Sequence, residues 1–197
     1  MDLEFLFTLL ASYLIGAIPS GVVLTKLTGA GDVRDSGSGN IGATNVYRTA
    51  GRMLGILTLA GDIIKGVIPA IYATTIAEMT AGQIALVAAV TFLGHLYPVY
   101  LKFKGGKGVA TAPGIYLVLS PLSVLFAFLI FAGLVWTWRY VSLGSITAAA
   151  AAPLLIYVIE DSTQLLFASF FISMMVIWRH RENIGRLISG TENKFKA

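Results

Sequence analysis

Three polar segments carry most of the residues whose types and spacing suit chemistry. They read SGSGNIGATNVYR within residues 29–52, KFKGGKGVAT at residues 102–111 and RHRENIGRLISGTE at residues 179–192. Glycines let backbone amides approach an anion closely, and the neighbouring hydroxyls, amides and bases can hold a phosphate. The three segments therefore predict anion binding. A shorter segment, residues 139–145, adds Ser142 and Ser145.

The first segment imitates a dinucleotide motif without meeting its structural requirements. Gly37, Gly39 and Gly42 satisfy the G-x-G-x-x-G spacing. That fingerprint needs a buried strand before it and a helix after it within a βαβ unit. Here membrane-length apolar stretches lie on both sides, so a dinucleotide site is not predicted. The anion-binding property of the glycines remains.

The second segment imitates a Walker A loop. That motif needs Ser or Thr directly after Gly-Lys, and a glycine five residues before the lysine. Here Gly108 follows Lys107, while Gly105 and Gly106 precede it. It is not a P-loop, but a lysine surrounded by glycines can still approach a phosphate closely.

A simpler interpretation covers some of these residues. Cytoplasmic lysines and arginines usually determine topology or contact lipid headgroups, and loop glycines usually form turns. We assign that role to Lys26, Arg52, Lys194 and Lys196. It does not explain why two separate loops place glycines around a base while a third has Arg-His-Arg-x-Asn at a helix end.

The elements that position these segments are predicted from the composition. Of 197 residues, 56% are apolar and 12% are charged, about half the charged fraction of a soluble domain. Because backbone polar groups must be satisfied inside a membrane, we predict an all-α polytopic membrane protein that forms a single domain over residues 1–197. Seven transmembrane helices are predicted at residues 3–27, 54–76, 84–101, 108–119, 122–138, 146–159 and 165–178. The first lacks a basic leading region and is interpreted as a retained span.

The charges sort into two sides when seven spans are assumed. One side receives five acids, Asp2, Glu4, Glu78, Glu160 and Asp161. The other receives 13 of the 14 bases, including Lys26 at the end of the first span, while Lys65 lies in the interior of the second. The positive-inside rule then places the N-terminus outside, the C-terminus in the cytoplasm, and the three polar segments on the cytoplasmic face.

Asp62, Lys65 and His95 lie in the interior of predicted spans, away from the span ends. Asp62 and Lys65 are three residues apart and can pair on one helix face; we favour a structural ion pair over a proton relay. His95 lies about two turns before the cytoplasmic end of its span. It is either a hydrogen-bonded core histidine, which we favour, or a neighbour of catalytic groups.

Together, SGSGNIGATNVYR, GHLYPVYLKFKGGKGVAT and RHRENIGRLISGTE resemble the three signature motifs of the bacterial acyl-phosphate:glycerol-3-phosphate acyltransferases, an integral-membrane family of the PlsY type. The resemblance implies an inner-membrane enzyme that transfers a fatty acyl group from acyl phosphate to position 1 of glycerol 3-phosphate, giving lysophosphatidic acid and phosphate. The acids are few and scattered, so no metal site is predicted, and no cofactor or nucleic acid is expected. Membrane lipid is a further partner, and a transient contact with the enzyme that makes acyl phosphate stays open.

The residues agree with this chemistry. The chain has no cysteine, and neither histidine has an aspartate five residues on, since His95 reaches Tyr100 and His180 reaches Gly185. Soluble-type glycerolipid acyltransferases use such a His-x4-Asp pair. Acyl phosphate makes its absence tolerable because it is a mixed anhydride with a weakly basic leaving group, so positioning and charge stabilisation can supply most of the acceleration.

Roles follow for the candidate site. We expect Ser38, Asn40 and amides of the first loop, with Ser145, to cradle acyl phosphate, and Arg48 and Lys107 to neutralise phosphate. His180 and Asn183, three apart on one helix face, are expected to hold the acceptor. Further substrate contacts are expected from Gly37, Gly39, Asn45, Gly105, Gly106, Gly108 and Ser142. The role of Glu192 is left open, with a structural one favoured.

Two questions stay open at this level. Either His180 or an oxygen of a substrate phosphate takes the hydroxyl proton. The alternative function is a small transporter or exchanger of phosphorylated metabolites, although transporters usually build midplane sites from broken helices in repeated halves. A non-catalytic scaffold would not need three loops suited to anions.

Overall fold

The computed structural model describes residues 3–195, and every regular element within that range is helical. This confirms the predicted all-α class. Asp2 and Lys196, which the charge pattern assigns to opposite sides, lie outside the described residues. The chain forms two compact units, Met1–Ile115 and Tyr116–Ala197. The single domain over residues 1–197 stays a prediction.

The first unit contains five complete helices and the beginning of a sixth. These are α1 (Leu3–Gly16), α2 (Ser20–Leu27), α3 (Ala43–Ala50), α4 (Arg52–Ile71), α5 (Ala81–Leu96) and α6 (Thr111–Leu119). Short 3-10 turns form at Val33–Asp35 and Val99–Leu101, and a π-helical turn at Tyr72–Ile76 extends α4. Helix α5 packs on α1 and α4, while α4 also packs on α2 and α3.

The second unit contains α7 (Pro121–Trp138), α8 (Val141–Glu160), α9 (Thr163–Arg179) and α10 (Arg181–Ile188). Pro121 begins α7 at a position where its missing N–H has no helical partner to lose. Helix α8 packs against both α7 and α9, and α10 contacts α8 and α9. The short α10 therefore lies on the helix pair that carries the serines and the histidine of the candidate site.

Within residues 3–195, four helical stretches are long and apolar enough to cross a membrane: Arg52–Ile76, Ala81–Leu101, Pro121–Trp138 and Val141–Glu160. The pair α1 and α2 adds a fifth if it counts as one span. The predicted span at 146–159 is too short, because α8 runs for 20 residues. The prediction at 108–119 is too long, because α6 has nine residues. At 1.5 Å per residue, α6 alone does not cross a hydrocarbon core of about 30 Å.

The predicted span at 3–27 is not one helix. It is bent by 48° between α1 and α2, and the break contains Ile18 and Pro19. Proline cannot donate to the helical ladder, so the chain turns there at small cost. The carbonyl of Ile18 accepts hydrogen bonds from the Ser20 amide at 3.1 Å and from Lys65 Nζ at 2.7 Å.

Glycines allow the helices of the first unit to approach closely. A Cβ on Gly16 would strike the backbone of Thr91, and one on Gly94 would strike the backbone of α1 at Tyr13. A Cβ on Gly66 of α4 would likewise strike the backbone of α6. Small residues at helix contacts are the usual solution within membranes, where packing replaces the hydrophobic drive. These contacts hold the helices that carry the first two polar segments.

Candidate active site

The first polar segment is a folded layer on an apolar base. Val33, Ile41 and Val46 from the segment are buried together with Val22 of α2. Leu101, at the beginning of the second polar segment, packs against the same cluster. Burial of this cluster fixes the segment on α2 and brings the entrance of the second segment beside it.

Asn45 organises the first segment from inside. Its Oδ1 accepts a hydrogen bond from the Ser38 amide at 2.8 Å. Its Nδ2 donates to the carbonyls of Val33, Ser36 and Asn40 at 3.0, 3.1 and 2.9 Å. The predicted substrate-binding residue Asn45 is thus buried and engaged with loop backbone, so its contribution to a site is to shape it.

Two glycines of the first segment allow the loop conformation that Asn45 holds. Gly37 and Gly39 have φ values of +61° and +68°, in the left-handed region that favours glycine. A Cβ on Gly37 would also strike Asn45 Oδ1. Ser38, between them, is exposed. Because its amide already donates to Asn45, the hydroxyl is the group that Ser38 presents.

Asn40 lies just before α3, and Arg48 lies in its last turn. Asn40 Oδ1 accepts from the amide of Gly42, the residue before the helix, at 2.9 Å. Arg48 lies exposed near the end of α3 and makes no ion pair within residues 3–195. An exposed guanidinium without a carboxylate partner is suited to a bidentate contact with phosphate.

The second segment is seated on α5. The amides of Gly105 and Gly106 donate to the carbonyls of Leu96 and His95 at 3.1 and 3.2 Å. A Cβ on Gly108, at φ +80°, would strike the ring of Phe92. These three glycines, predicted as phosphate contacts, therefore allow the loop to lie against the helix. Lys107 lies between them and is half-buried.

Glu192 joins the third segment to α8. Its Oε1 accepts from Ser142 Oγ at 2.8 Å and from Asn183 Nδ2 at 2.7 Å, and its Oε2 accepts from Arg186 Nε at 2.7 Å. Burial raises the pKa of Glu192, but hydrogen bonds from Asn183, Arg186 and Ser142 outweigh it, so the pKa lies below its usual value. The carboxylate holds two predicted site residues in one cluster.

His180 is buried between α9 and α10. Its Nδ1 lies 2.8 Å from the carbonyl oxygen of Val176. A carbonyl can only accept, so Nδ1 carries the proton and Nε2 of the neutral ring carries the lone pair. That tautomer is the one a base acting through Nε2 requires. Asn183 follows one turn later on α10.

Each unit thus carries its own polar group of predicted residues. The first unit brings the segment containing Ser38, Asn45 and Arg48 beside the one containing Lys107. The second unit joins Ser142 to Asn183 through Glu192, while Ser145 Oγ donates to the Val141 carbonyl of its own helix at 2.9 Å.

Sequence reasoning missed the part played by Arg186. It lies three residues after Asn183 on α10 and pairs with Glu192. The i, i+3 spacing of a polar amide and a base on one helix face was the available signal. Among residues 3–195, no three His, Asp or Glu side chains converge in a way that could hold a metal ion.

Fold and site together define an integral-membrane protein with polar, basic segments suited to phosphate. The family model described as glycerol-3-phosphate acyltransferase matches residues 6–190. A glycerol-3-phosphate acyltransferase of Syntrophotalea carbinolica is 63% identical over 194 residues, covering 98% of this chain and 99% of that one. One of Aquifex aeolicus is 44% identical over 190 residues, covering 96% and 98%.

Two solved structures are also similar. One is a crystal structure of PlsY (YgiH), an integral membrane glycerol 3-phosphate acyltransferase, in its glycerol 3-phosphate form, with a TM-score of 0.93 and 44% identity, covering 98% of this chain and 96% of that one. The lysophosphatidic acid form gives a TM-score of 0.91 and 42% identity over the same shares. This chain belongs to the glycerol-3-phosphate acyltransferase family, of the PlsY type. It is an acyltransferase and a multi-pass membrane protein.

Proposed function

We propose that this protein transfers a fatty acyl group from acyl phosphate to the 1-hydroxyl of glycerol 3-phosphate. The observation that carries the proposal is the full-length match to glycerol-3-phosphate acyltransferases, one of which has structures in a glycerol 3-phosphate form and a lysophosphatidic acid form. The three polar segments resemble the family's motifs, which are those of enzymes with acyl phosphate as donor. The family assignment replaces the transporter alternative.

The reaction exchanges one acyl–oxygen bond for another. The 1-hydroxyl oxygen of glycerol 3-phosphate attacks the acyl carbonyl carbon, and the bond from that carbon to the phosphate oxygen breaks. Inorganic phosphate leaves with the electron pair, and the hydroxyl proton passes to a base. Both substrates are anionic, so cationic groups that neutralise phosphate during attack lower the barrier.

The residues take the following parts. Ser38 offers a hydroxyl, and Arg48 and Lys107 offer cationic groups, all on segments of the first unit. His180 and Asn183 hold the acceptor. On the neighbouring helix α8, Ser142 is a further substrate contact and Ser145 helps to cradle acyl phosphate. Nδ1 protonation of His180 supports its service as the base, while proton transfer to a substrate phosphate remains the competing route.

The membrane placement follows from the charges. We propose seven transmembrane segments in a bacterial inner membrane, with the N-terminus outside and the candidate site facing the cytoplasm. Counting α6 and α9 as crossings puts Arg139 and the bases of residues 179–194 on the side that receives the other bases. Helix α6 is too short to cross alone, so the bilayer or the adjoining loop must supply the remaining length.

The direct experiment uses the purified full chain in lipid nanodiscs. Palmitoyl phosphate and radiolabelled glycerol 3-phosphate should give labelled lysophosphatidic acid and one phosphate per product, while palmitoyl-CoA should give none. Product from palmitoyl-CoA alone would overturn the donor, and no product from either would overturn the proposed function.

A pair of lysines in one loop tests the site. Lys107→Met should lower kcat/KM at least 100-fold, because a phosphate loses its cationic partner. Lys104→Met, which removes an exposed lysine of the same loop, should stay within about twofold. Equal losses for the two variants would show that the loop supplies only general positive charge.

A further inference from the structure

Four buried polar residues of the first unit form a chain of contacts, called here the buried network: Asp62, Lys65, His95 and Thr111. Each is at most 3% exposed. Lys65 Nζ lies 2.8 Å from Asp62 Oδ1. The same carboxylate oxygen lies 3.9 Å from His95 Nδ1, which lies 3.1 Å from Thr111 Oγ1. The network spans α4, α5 and the first residue of α6.

The ion pair in this network is not explained by stability. Burying two charges costs more free energy than packing apolar residues of the same volume, and their attraction often does no more than offset that cost. Its geometry offers another explanation. Lys65 also donates to the Ile18 carbonyl at the break between α1 and α2, so one ammonium ties the helix break to α4 and orients Asp62 towards His95.

The other end of the network encloses the loop of Lys107. His95 precedes the loop and Thr111 follows it, so their contact joins the two ends of the segment formed by residues 96–110. A Cβ on Gly106 would meet His95 Nε2 first, which places the loop backbone against that edge of the imidazole. The carbonyl of His95 also accepts the Gly106 amide. The imidazole therefore lies between the ion pair and the loop.

We propose that the buried network positions Lys107 for its contact with substrate phosphate. This inference rests on the proposed function, because it takes Lys107 as a phosphate-binding group. The network residues are buried and act through the loop, so they are positioning residues. Loosening the His95–Thr111 contact lets the loop shift, and a displacement of about 1 Å in a site can cost up to about 100-fold in rate.

Two buried threonines give a matched test. Thr111→Val removes the hydroxyl that meets His95 while keeping the side-chain shape. Thr91→Val makes the same change one turn before His95 on α5, where the hydroxyl bonds only the Val87 carbonyl of its own helix at 2.7 Å. Thr111→Val should raise KM about tenfold for the substrate whose KM also rises in Lys107→Arg. Thr91→Val should leave both KM values within twofold, and Thr111→Ser should restore the wild-type KM.

A second measurement follows the loop without turnover. Amide hydrogen exchange of a peptide covering residues 102–110 should quicken at least tenfold in Thr111→Val and in His95→Gln, and remain unchanged in Thr91→Val. His95→Asn, whose amide can reach the position of Nδ1, should exchange more slowly than His95→Gln.

The outcomes separate the two proposals. If wild-type protein makes no lysophosphatidic acid, the proposed function fails, and the exchange data still decide whether the network holds the loop. If wild-type protein is active but Thr111→Val and Thr91→Val lower the melting temperature alike with unchanged KM and exchange, the network is only structural and the inference is overturned.

Discussion

Glu192 illustrates how a carboxylate can serve a site by holding its neighbours. It accepts hydrogen bonds from Ser142, Asn183 and Arg186, two of which are candidate site residues. The donors stabilise the charged form, which is why the pKa of Glu192 is lowered although burial acts in the other direction. Single side chains of this kind set the precision of a site, because a small displacement of a binding group lowers the rate steeply.

Glu192→Gln should destabilise the protein and lower activity. The amide keeps an acceptor oxygen but loses the charge-assisted bond to Arg186, worth about 2 kcal/mol. Since the folded pKa is lowered, the stabilising contribution is full above the usual value of 4.5 and is lost as pH falls through the folded pKa. Thermal melts at several pH values should show the gap between wild type and variant closing below pH 4.5. A gap that widens on acidification would contradict this assignment.

His180→Gln separates two ways of moving the proton. Glutamine can orient the acceptor by hydrogen bonds but cannot act as a base near neutral pH. If orientation is the only task of His180, kcat should stay within about fivefold of wild type. If His180 is the general base, its loss should lower kcat roughly 100-fold or more. Because Nδ1 of His180 donates to the Val176 carbonyl, we expect the larger loss, at every pH between 6 and 9 tested by initial rates. A small loss would assign the proton to a substrate phosphate.

The first two polar segments are held in place by buried side chains and backbone hydrogen bonds. The first segment has a buried base at Val33, Ile41 and Val46 and an internal organiser in Asn45, so its shape is set before any substrate arrives. The second segment is held on α5 by two backbone hydrogen bonds, donated by the amides of Gly105 and Gly106. Binding groups that are already in place lose less entropy when an anion binds.

Gly37→Ala and Gly31→Ala test whether the first loop needs its shape. Both glycines have positive φ, at +61° and +85°, so both substitutions bear a similar backbone strain of about 1 kcal/mol. A Cβ on Gly37 also strikes Asn45 Oδ1, whereas one on Gly31 meets nothing within 4 Å. Steady-state assays should give at least a 30-fold lower kcat/KM for Gly37→Ala and less than a threefold change for Gly31→Ala. Equal losses of kcat/KM in the two variants would show that the positive φ alone causes them, and not the clash with Asn45.

At the scale of the whole molecule, the membrane arrangement decides whether the polar segments can work on one face. In the part of the chain that the structure describes, helix length and composition identify four candidate spans, or five with the bent pair. The seven-span proposal, which rests on the charge pattern, counts α6 and α9 as crossings as well. Arg139 follows α7 directly. It lies on the cytoplasmic side of the membrane if α6 crosses, and on the outer side if α6 does not.

The absence of cysteine makes topology measurable with single introduced thiols. In intact spheroplasts, an impermeant maleimide should label Glu78→Cys and Asp161→Cys. It should label Lys104→Cys and Arg139→Cys only after the membrane is disrupted. Labelling of Arg139→Cys from outside, with Lys104→Cys protected, would remove α6 from the set of crossings and contradict the seven-span proposal.

The extent of the helices shows what local patterns can predict. The predicted apolar stretches overlap the four helices of membrane length within residues 3–195, because burial of apolar residues in lipid leaves a signal in the sequence itself. The break at Pro19 and the early beginning of α8 at Val141 were missed. At the first place Lys65 donates to the Ile18 carbonyl from 47 positions away, and at the second Glu192 accepts the Ser142 hydroxyl from 50 positions away; local patterns do not show such contacts.

The sequence by itself determined the class of protein, the three polar segments and the family, since composition, charge and motif order are all local properties. Only the tertiary structure decided how the candidate residues divide between binding and support. Asn45, Gly105 and Gly106 bond to backbone, and Glu192 joins Ser142 to Asn183 across 50 and nine positions of sequence. Partners so far apart along the chain are chosen by the packing of helices, which no local pattern encodes.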